Sequence, residues 1–131
     1  MNNLELAQQS LIYASALELP SPYQYADRAE IHSYFQDYDL ALSDLTKAIA
    51  INQELSYPYY IRAKIHADMN NLEAALIDAN LAIQFSPSNA TYFLFRGLNY
   101  SLLGEATLSK TDDETAKSLS QGNLSSMHNT D

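Results

Sequence analysis

Apolar residues recur along this chain with helical spacing, in short stretches that come in pairs. Tyr25, Ala29 and His32 fall at i, i+4 and i+7, and the stripe returns as Tyr59, Ala63 and His66 and again as Phe93, Gly97 and Tyr100. That period places each trio on one face of a helix. After each of the first two trios come a break and a second stripe: Tyr38, Ala41, Leu45 and Ala48, then Leu72, Ala75, Ala79 and Ala82. The pattern predicts an all-α chain of antiparallel helix pairs. The breaks supply start and stop signals. Asp37 is a candidate N-cap, Asn70 with Glu73 forms an Asn-x-x-Glu capping pattern, Pro58 fits the first turn of a helix, and Pro87 follows a helix end. Ahead of these pairs, residues 3–19 read as a further helix. Its capping pattern is Asn2 with Glu5, and its stripe is Leu4, Leu11, Ala14 and Leu17.

The paired stripes repeat with a period of 34 residues. Sliding residues 22–55 over 56–89 gives eleven identities without a gap, among them Tyr23 with Tyr57, Arg28 with Arg62, His32 with His66, Ala41 with Ala75 and Asp44 with Asp78. A third copy begins at residue 90 and fades after Gly104, so its second helix is degenerate. Residues 105–119 either continue in register, which would set Asp112 where Asp44 and Asp78 stand, or start afresh at the Thr111/Glu114 capping pattern. Residues 1–21 form a capping helix or half-repeat, and the Ser-, Asn- and Gln-rich stretch 120–131 is expected to be disordered. Small residues at 29, 41, 48, 63, 75 and 82 let paired helices approach within about 8–10 Å, while the aromatics at 25, 59 and 93 fill the space beside them.

This ladder of aromatic, Ala or Gly, aromatic or His, Ala, Ala and Pro87 at period 34 resembles the tetratricopeptide repeat over residues 22–119. The resemblance implies an α-solenoid of about three repeats. Gln53 departs from it where a copy usually ends in Pro, His32 and His66 depart where an aromatic is usual, and Ser109 departs where the ladder wants Ala.

Composition narrows the function. The 131 residues carry 7 Lys plus Arg against 16 Asp plus Glu, a formal charge of −9, which argues against nucleic-acid or anionic-membrane partners. Zero Cys excludes a disulfide framework, a thiol nucleophile and cysteine-ligated metal, and three Gly leave no phosphate loop. The start of the chain has no basic region and no long apolar run, so a cytoplasmic location is expected.

Candidate chemistry is sparse. Arg28, Arg62 and Arg96 each precede an Asp by 16 residues, an offset that spans one helix to the next and, repeated three times, points to an architectural ion pair rather than a ligand clamp. His32 and His66 lie one repeat apart, too far to share a metal ion. No nucleophile–base motif occurs. The expectation is therefore a protein that is not an enzyme and uses neither metal nor cofactor.

The informative surface is the other face of each first helix. It carries Tyr23, Asp27, Glu30 and Tyr34 in the first copy, Tyr57, Tyr60, Ile61, Lys64 and Asp68 in the second, and Thr91, Phe95, Leu98 and Leu102 in the third. The resemblance implies that these residues line a concave groove that docks protein segments, and tyrosine suits such contacts. Some relatives bind acidic carboxy-terminal peptides through Lys, Asn and Arg there. The matching positions here are Ala26, Glu30, Ile61, Thr91 and Phe95, none of them basic, so a partner with basic residues is favoured. The helix at 90–103 is apolar almost all round and needs a cover for Leu94, Phe95, Leu98 and Leu102. Residues 105–119, a second copy of the chain, or a partner could supply it. The reading is a protein-interaction module or scaffold. The alternatives are a homo-oligomeric subunit associating through that helix, or a small acidic chaperone masking an apolar client segment.

Overall fold

The structure, a computed structural model, describes residues 1–128 and contains there seven α-helices and no strand. They are α1 (Asn3–Ala14), α2 (Pro22–Tyr34), α3 (Tyr38–Ile51), α4 (Ser56–Asp68), α5 (Leu72–Phe85), α6 (Ala90–Leu102) and α7 (Ala106–His128). Each of the last three odd-numbered helices folds back on the helix before it, and successive pairs stack into an all-α solenoid.

Local chemistry starts several of these helices, α1 as expected. Asn2 and Glu5 form a reciprocal capping box on α1. Ser21 accepts a bond from the Tyr23 amide ahead of Pro22, and Asn89 does the same for Thr91. The caps expected at Asp37 and Asn70 do not form. Asp37 makes no capping bond, its Oδ2 instead accepting from Gln8 Nε2 at 3.0 Å, and the residue ahead of α5 is Asn71, which also lacks one. The turns explain why. Each hairpin passes through one left-handed residue, Gln36 (φ 63°), Asn70 (φ 61°) and Gly104 (φ 82°), placed 34 residues apart. The following amide then donates to a carbonyl five residues back, Asp37 to His32, Asn71 to His66 and Glu105 to Tyr100, at 2.8–2.9 Å. The main chain thus closes the end of each first helix itself.

Alanines line the seams. Ala29, Ala41, Ala48, Ala63, Ala75 and Ala82 are all fully buried. In the third pair the helices lie closer still. A Cβ added at Gly97 would come within 3.2 Å of Asp112 Cβ and 3.3 Å of the Ser109 carbonyl oxygen, a tight fit for the Ala that stands at the equivalent positions 29 and 63.

Across each pair runs a bidentate ion pair. Arg28 meets Asp44 through Nε and Nη2, both at 2.7 Å; Arg62 meets Asp78 at 2.7 and 2.8 Å; Arg96 meets Asp112 at 2.8 and 2.8 Å. Each guanidinium also lies over the aromatic three residues earlier, Tyr25, Tyr59 or Phe93, at 5.4–5.6 Å. Arg28 does one thing more. Its Nη1 and Nη2 donate to the carbonyls of Ala14, Ser15 and Leu17, which anchors the end of α1. That helix stops at Ala14, earlier than the pattern to residue 19 implies, and none of its residues is buried.

At the other end, α7 begins at Ala106 and keeps Asp112 in register with Arg96. It differs from the expectation of a disordered tail from residue 120, because the helix continues to His128. Residues 129–131 of that tail lie outside the described residues.

Candidate functional site

The first helices α2, α4 and α6 stand side by side, and their outer faces bring most of the sequence-marked residues together. Tyr23 is half exposed and stacks on Tyr57 at 6.0 Å. The Tyr57 hydroxyl donates to Asp27 Oδ1 at 3.0 Å. Burial, and then the Asp27 carboxylate beside it, holds its pKa well above the usual phenol range. Lys64 Nζ donates to Glu30 Oε2 at 2.6 Å and lies 5.2 Å from the Tyr60 ring centre. Tyr60 in turn packs on Tyr92 at 4.9 Å and meets Phe95 edge-on at 5.6 Å. Polar and aromatic contacts thus bridge one first helix to the next and hold these side chains in place.

Glu30, Tyr34, Ile61, Lys64 and Asp68 line one open cleft of about 190 Å³ between α2 and α4, together with Ser33 and Ile65. Ile61 requires a correction. It is fully buried against Ala26, Ala29, Ala41 and Leu45, so it forms floor rather than surface. A first helix inside a stack is contacted by its own partner and by the pair before it, and position 61 faces that earlier pair.

On α6, Leu94, Leu98 and Leu102 are more than half exposed, and Phe95 is partly covered by Tyr60. The residues 105–119 do not cover them. All but the first of them lie in α7, which packs against the side of α6 that carries Gly97 and Arg96. Among the described residues marked on this face, Lys64 is the only cation, and it shares its cleft with Glu30 and Asp68.

The polar groups of the interior are structural. Arg28, Arg62 and Arg96 are held cationic by their Asp partners, which raise each pKa. His32 is fully buried with Nε2 3.6 Å from Asp44 Oδ2. Burial lowers its pKa and nearby Arg28 adds to that, against the opposing pull of Asp44. No group of three or more metal-ligating side chains occurs among the described residues. No helix among them is long and apolar enough to cross a membrane. The sequence reading missed a second cleft, between α1 and α2, whose signal was the apolar Ile31 at a position that is interior in the next copy.

The fold is that of a tetratricopeptide-repeat solenoid. Among solved structures, the chain is 25% identical to the second tetratricopeptide domain of Spaghetti (RPAP3) bound to the HSP90 peptide SRMEEVD, covering 86% of this chain and 97% of that one with a TM-score of 0.70. A crystal structure of MamA superposes with a TM-score of 0.80 at 19% identity, over 93% of this chain and 71% of that one. The first tetratricopeptide domain of Spaghetti, also bound to SRMEEVD, gives a TM-score of 0.71 at 19% identity, over 79% and 82%. No family model and no curated protein sequence matches the chain.

Proposed function

We propose that this protein is a cytoplasmic interaction module that holds an extended protein segment along the face of α2, α4 and α6. The observation that carries the reading is the set of cross-helix contacts on that face, Tyr57 to Asp27, Lys64 to Glu30 and Tyr60 to Tyr92 and Phe95. They present ordered aromatic surface at low entropic cost. That a domain of the same fold holds a peptide supports it further. The residues that would touch the segment are Tyr23, Asp27, Glu30, Tyr34, Tyr57, Tyr60, Lys64 and Asp68, over the floor made by Ile61, with Phe95, Leu98 and Leu102 taking an apolar anchor.

The segment chosen should be basic, not acidic. Three carboxylates against one ammonium repel a peptide such as SRMEEVD and attract Lys or Arg, which the tyrosine rings also favour. Calorimetric titration tests this directly. SRMEEVD should not saturate the protein, whereas the strongest Lys- or Arg-containing peptide from an array should, and the combined Tyr23→Ala and Asp68→Asn variant should weaken it about tenfold. Tight SRMEEVD binding would refute the charge argument.

The exposed Leu94, Leu98 and Leu102 favour a second reading, self-association through α6. Light scattering would then report a dimer that Leu98→Ser converts to monomer; a monomer at millimolar concentration would remove this reading.

A further inference from the structure

The three arginines spend their donors differently, and the middle one keeps the most. A guanidinium carries five N–H groups. In each repeat two of them hold the Asp that stands 16 residues on. The terminal nitrogens of Arg28 also donate to the carbonyls of Ala14, Ser15 and Leu17, and Arg96 Nη1 donates to Asn80 Oδ1 at 3.0 Å. Among the described residues Arg62 makes neither kind of bond, and its neighbours explain why. α1 ends at Ala14 and offers its last carbonyls to Arg28, whereas α3 stays helical to Ile51 and its matching Ala48 carbonyl accepts the Asn52 amide. The residue that matches Asn80 is Thr46, whose hydroxyl donates to the Leu42 carbonyl at 3.0 Å. Arg62 thus keeps three N–H groups, and it lines a cleft of about 350 Å³ between α3, α4 and α5 whose apolar walls are Leu42, Ala74 and Ile77. His66 opens the same cleft, its side chain 21% exposed. Its equivalent His32 is fully buried, and in the third repeat the larger Tyr100 takes the place and packs beside Arg96. The opening therefore comes from the residues of the middle interval.

We propose that this cleft docks the carboxy-terminal turn of a helix from a partner protein, its last main-chain carbonyls on Arg62 and one aliphatic side chain between Leu42, Ala74 and Ile77. The chain itself shows the chemistry of the occupant. Arg28 and Arg96 complete their donors with neutral carbonyl oxygens, not with a second carboxylate. Asp78 already balances the charge of Arg62, and a chain of formal charge −9 repels an anionic ligand at longer range. The last four carbonyls of a helix have no partners within it and carry the negative end of its dipole, so a cation with three N–H groups matches them. The end of α1 on Arg28 is that arrangement made within the chain. A second copy has few such ends to offer, because Arg28 holds that of α1 and the hairpin amides close those of α2, α4 and α6. None of the cleft residues belongs to the face proposed above to hold an extended segment.

The probe is a fluorescein-labelled, lactam-stapled alanine helix that ends in Leu and a carboxamide. Fluorescence anisotropy against the full chain should show saturable binding. Thr46→Asn places beside Arg62 the amide oxygen that Asn80 gives Arg96, so it should weaken binding at least about tenfold without lowering the urea midpoint. Ile77→Lys, at a residue 63% exposed, should weaken it as much and leave the circular dichroism unchanged. The same helix ending in Ser instead of Leu should also bind at least about tenfold more weakly. Tyr23→Ala, on the other face, should bind the probe as the parent does, which separates this cleft from that face. Absence of saturation, indifference to either cleft variant, or loss in Tyr23→Ala would overturn the proposal. So would tenfold tighter binding of the free-acid form of the probe, because the cleft would then select an anion. A dimer of the parent chain that Thr46→Asn dissociates would overturn it too, since a second copy would then be the occupant.

Discussion

The three arginines make the same bidentate pair in three different surroundings, and replacing each by Met measures what those surroundings contribute. Arg28 is the most enclosed, with its side chain 8% exposed against 28% for Arg62 and 21% for Arg96, and its Asp44 partner is 2% exposed. It also makes the most bonds, five in all, two to Asp44 and three to the carbonyls of Ala14, Ser15 and Leu17, whereas Arg62 makes two. Arg28→Met leaves a buried carboxylate without its cation, a change that costs about 3–5 kcal/mol. Arg62→Met also orphans a buried carboxylate, Asp78 at 4% exposed, but the guanidinium it removes is 28% exposed and water can take its place, so a smaller cost of about 1.5–3 kcal/mol is expected. Against a total of roughly 5–15 kcal/mol for a domain, both are measurable in urea at 25 °C. The two variants should also differ in kind. Loss of Arg28 removes the anchor of α1, so the amides of residues 3–14 should exchange hydrogen freely while α4 and α5 stay protected. Equal costs for Arg28→Met and Arg62→Met, with unchanged protection in α1, would refute the reasoning.

Further outcomes follow from the seams, turns and buried histidine. Ala75→Leu should overpack the α4–α5 seam and lower stability by about 1–3 kcal/mol in the same urea assay, and an unchanged midpoint would count against that seam. Gln36→Gly should stabilise by about 0.5–1 kcal/mol, because it removes a side chain from a left-handed residue. Gly104→Ala should destabilise by about 1 kcal/mol although its Cβ would meet nothing within 4 Å, a loss that is purely conformational. His32 has a folded-state pKa below its unfolded value near 6.5, so the unfolded chain takes up the proton first. Stability is therefore full above about pH 6.5 and falls as pH drops below it, by at most about 1.4 kcal/mol per unit from this residue. His32→Phe should flatten the urea midpoint between pH 7 and 5.5 relative to the parent, and parallel profiles would contradict the assignment.

Much of the architecture was legible because one period writes it three times. The spacing of Tyr25, Ala29 and His32 and its returns locate the first helices, and the offset from Arg28 to Asp44 names the residues that tie each pair. What the sequence concealed lies where a residue's neighbours come from another copy. Ile61 is polar-flanked, between Tyr60 and Arg62, and its helix stripe says nothing of the pair that buries it. The turns hide for a different reason. Gly104 advertises a left-handed residue, but Gln36 does so only by standing 68 positions before it in the repeat. Likewise residues 120–128 of the Ser- and Asn-rich run have the composition of a coil, yet they extend α7. The proposed binding face rests on first-helix positions that the period marks, while the cleft beside α1 needed the observation that Ile31 and Ile65 differ in exposure.

The central claim is that recognition belongs to the first helices. Nuclear magnetic resonance of the labelled protein, titrated with the strongest basic peptide from the array, tests it most directly. Amide shifts concentrated on α2, α4 and α6, foremost near Tyr23, Glu30, Lys64 and Asp68, are the result the account predicts. Shifts confined to α3, α5 and α7 would contradict it.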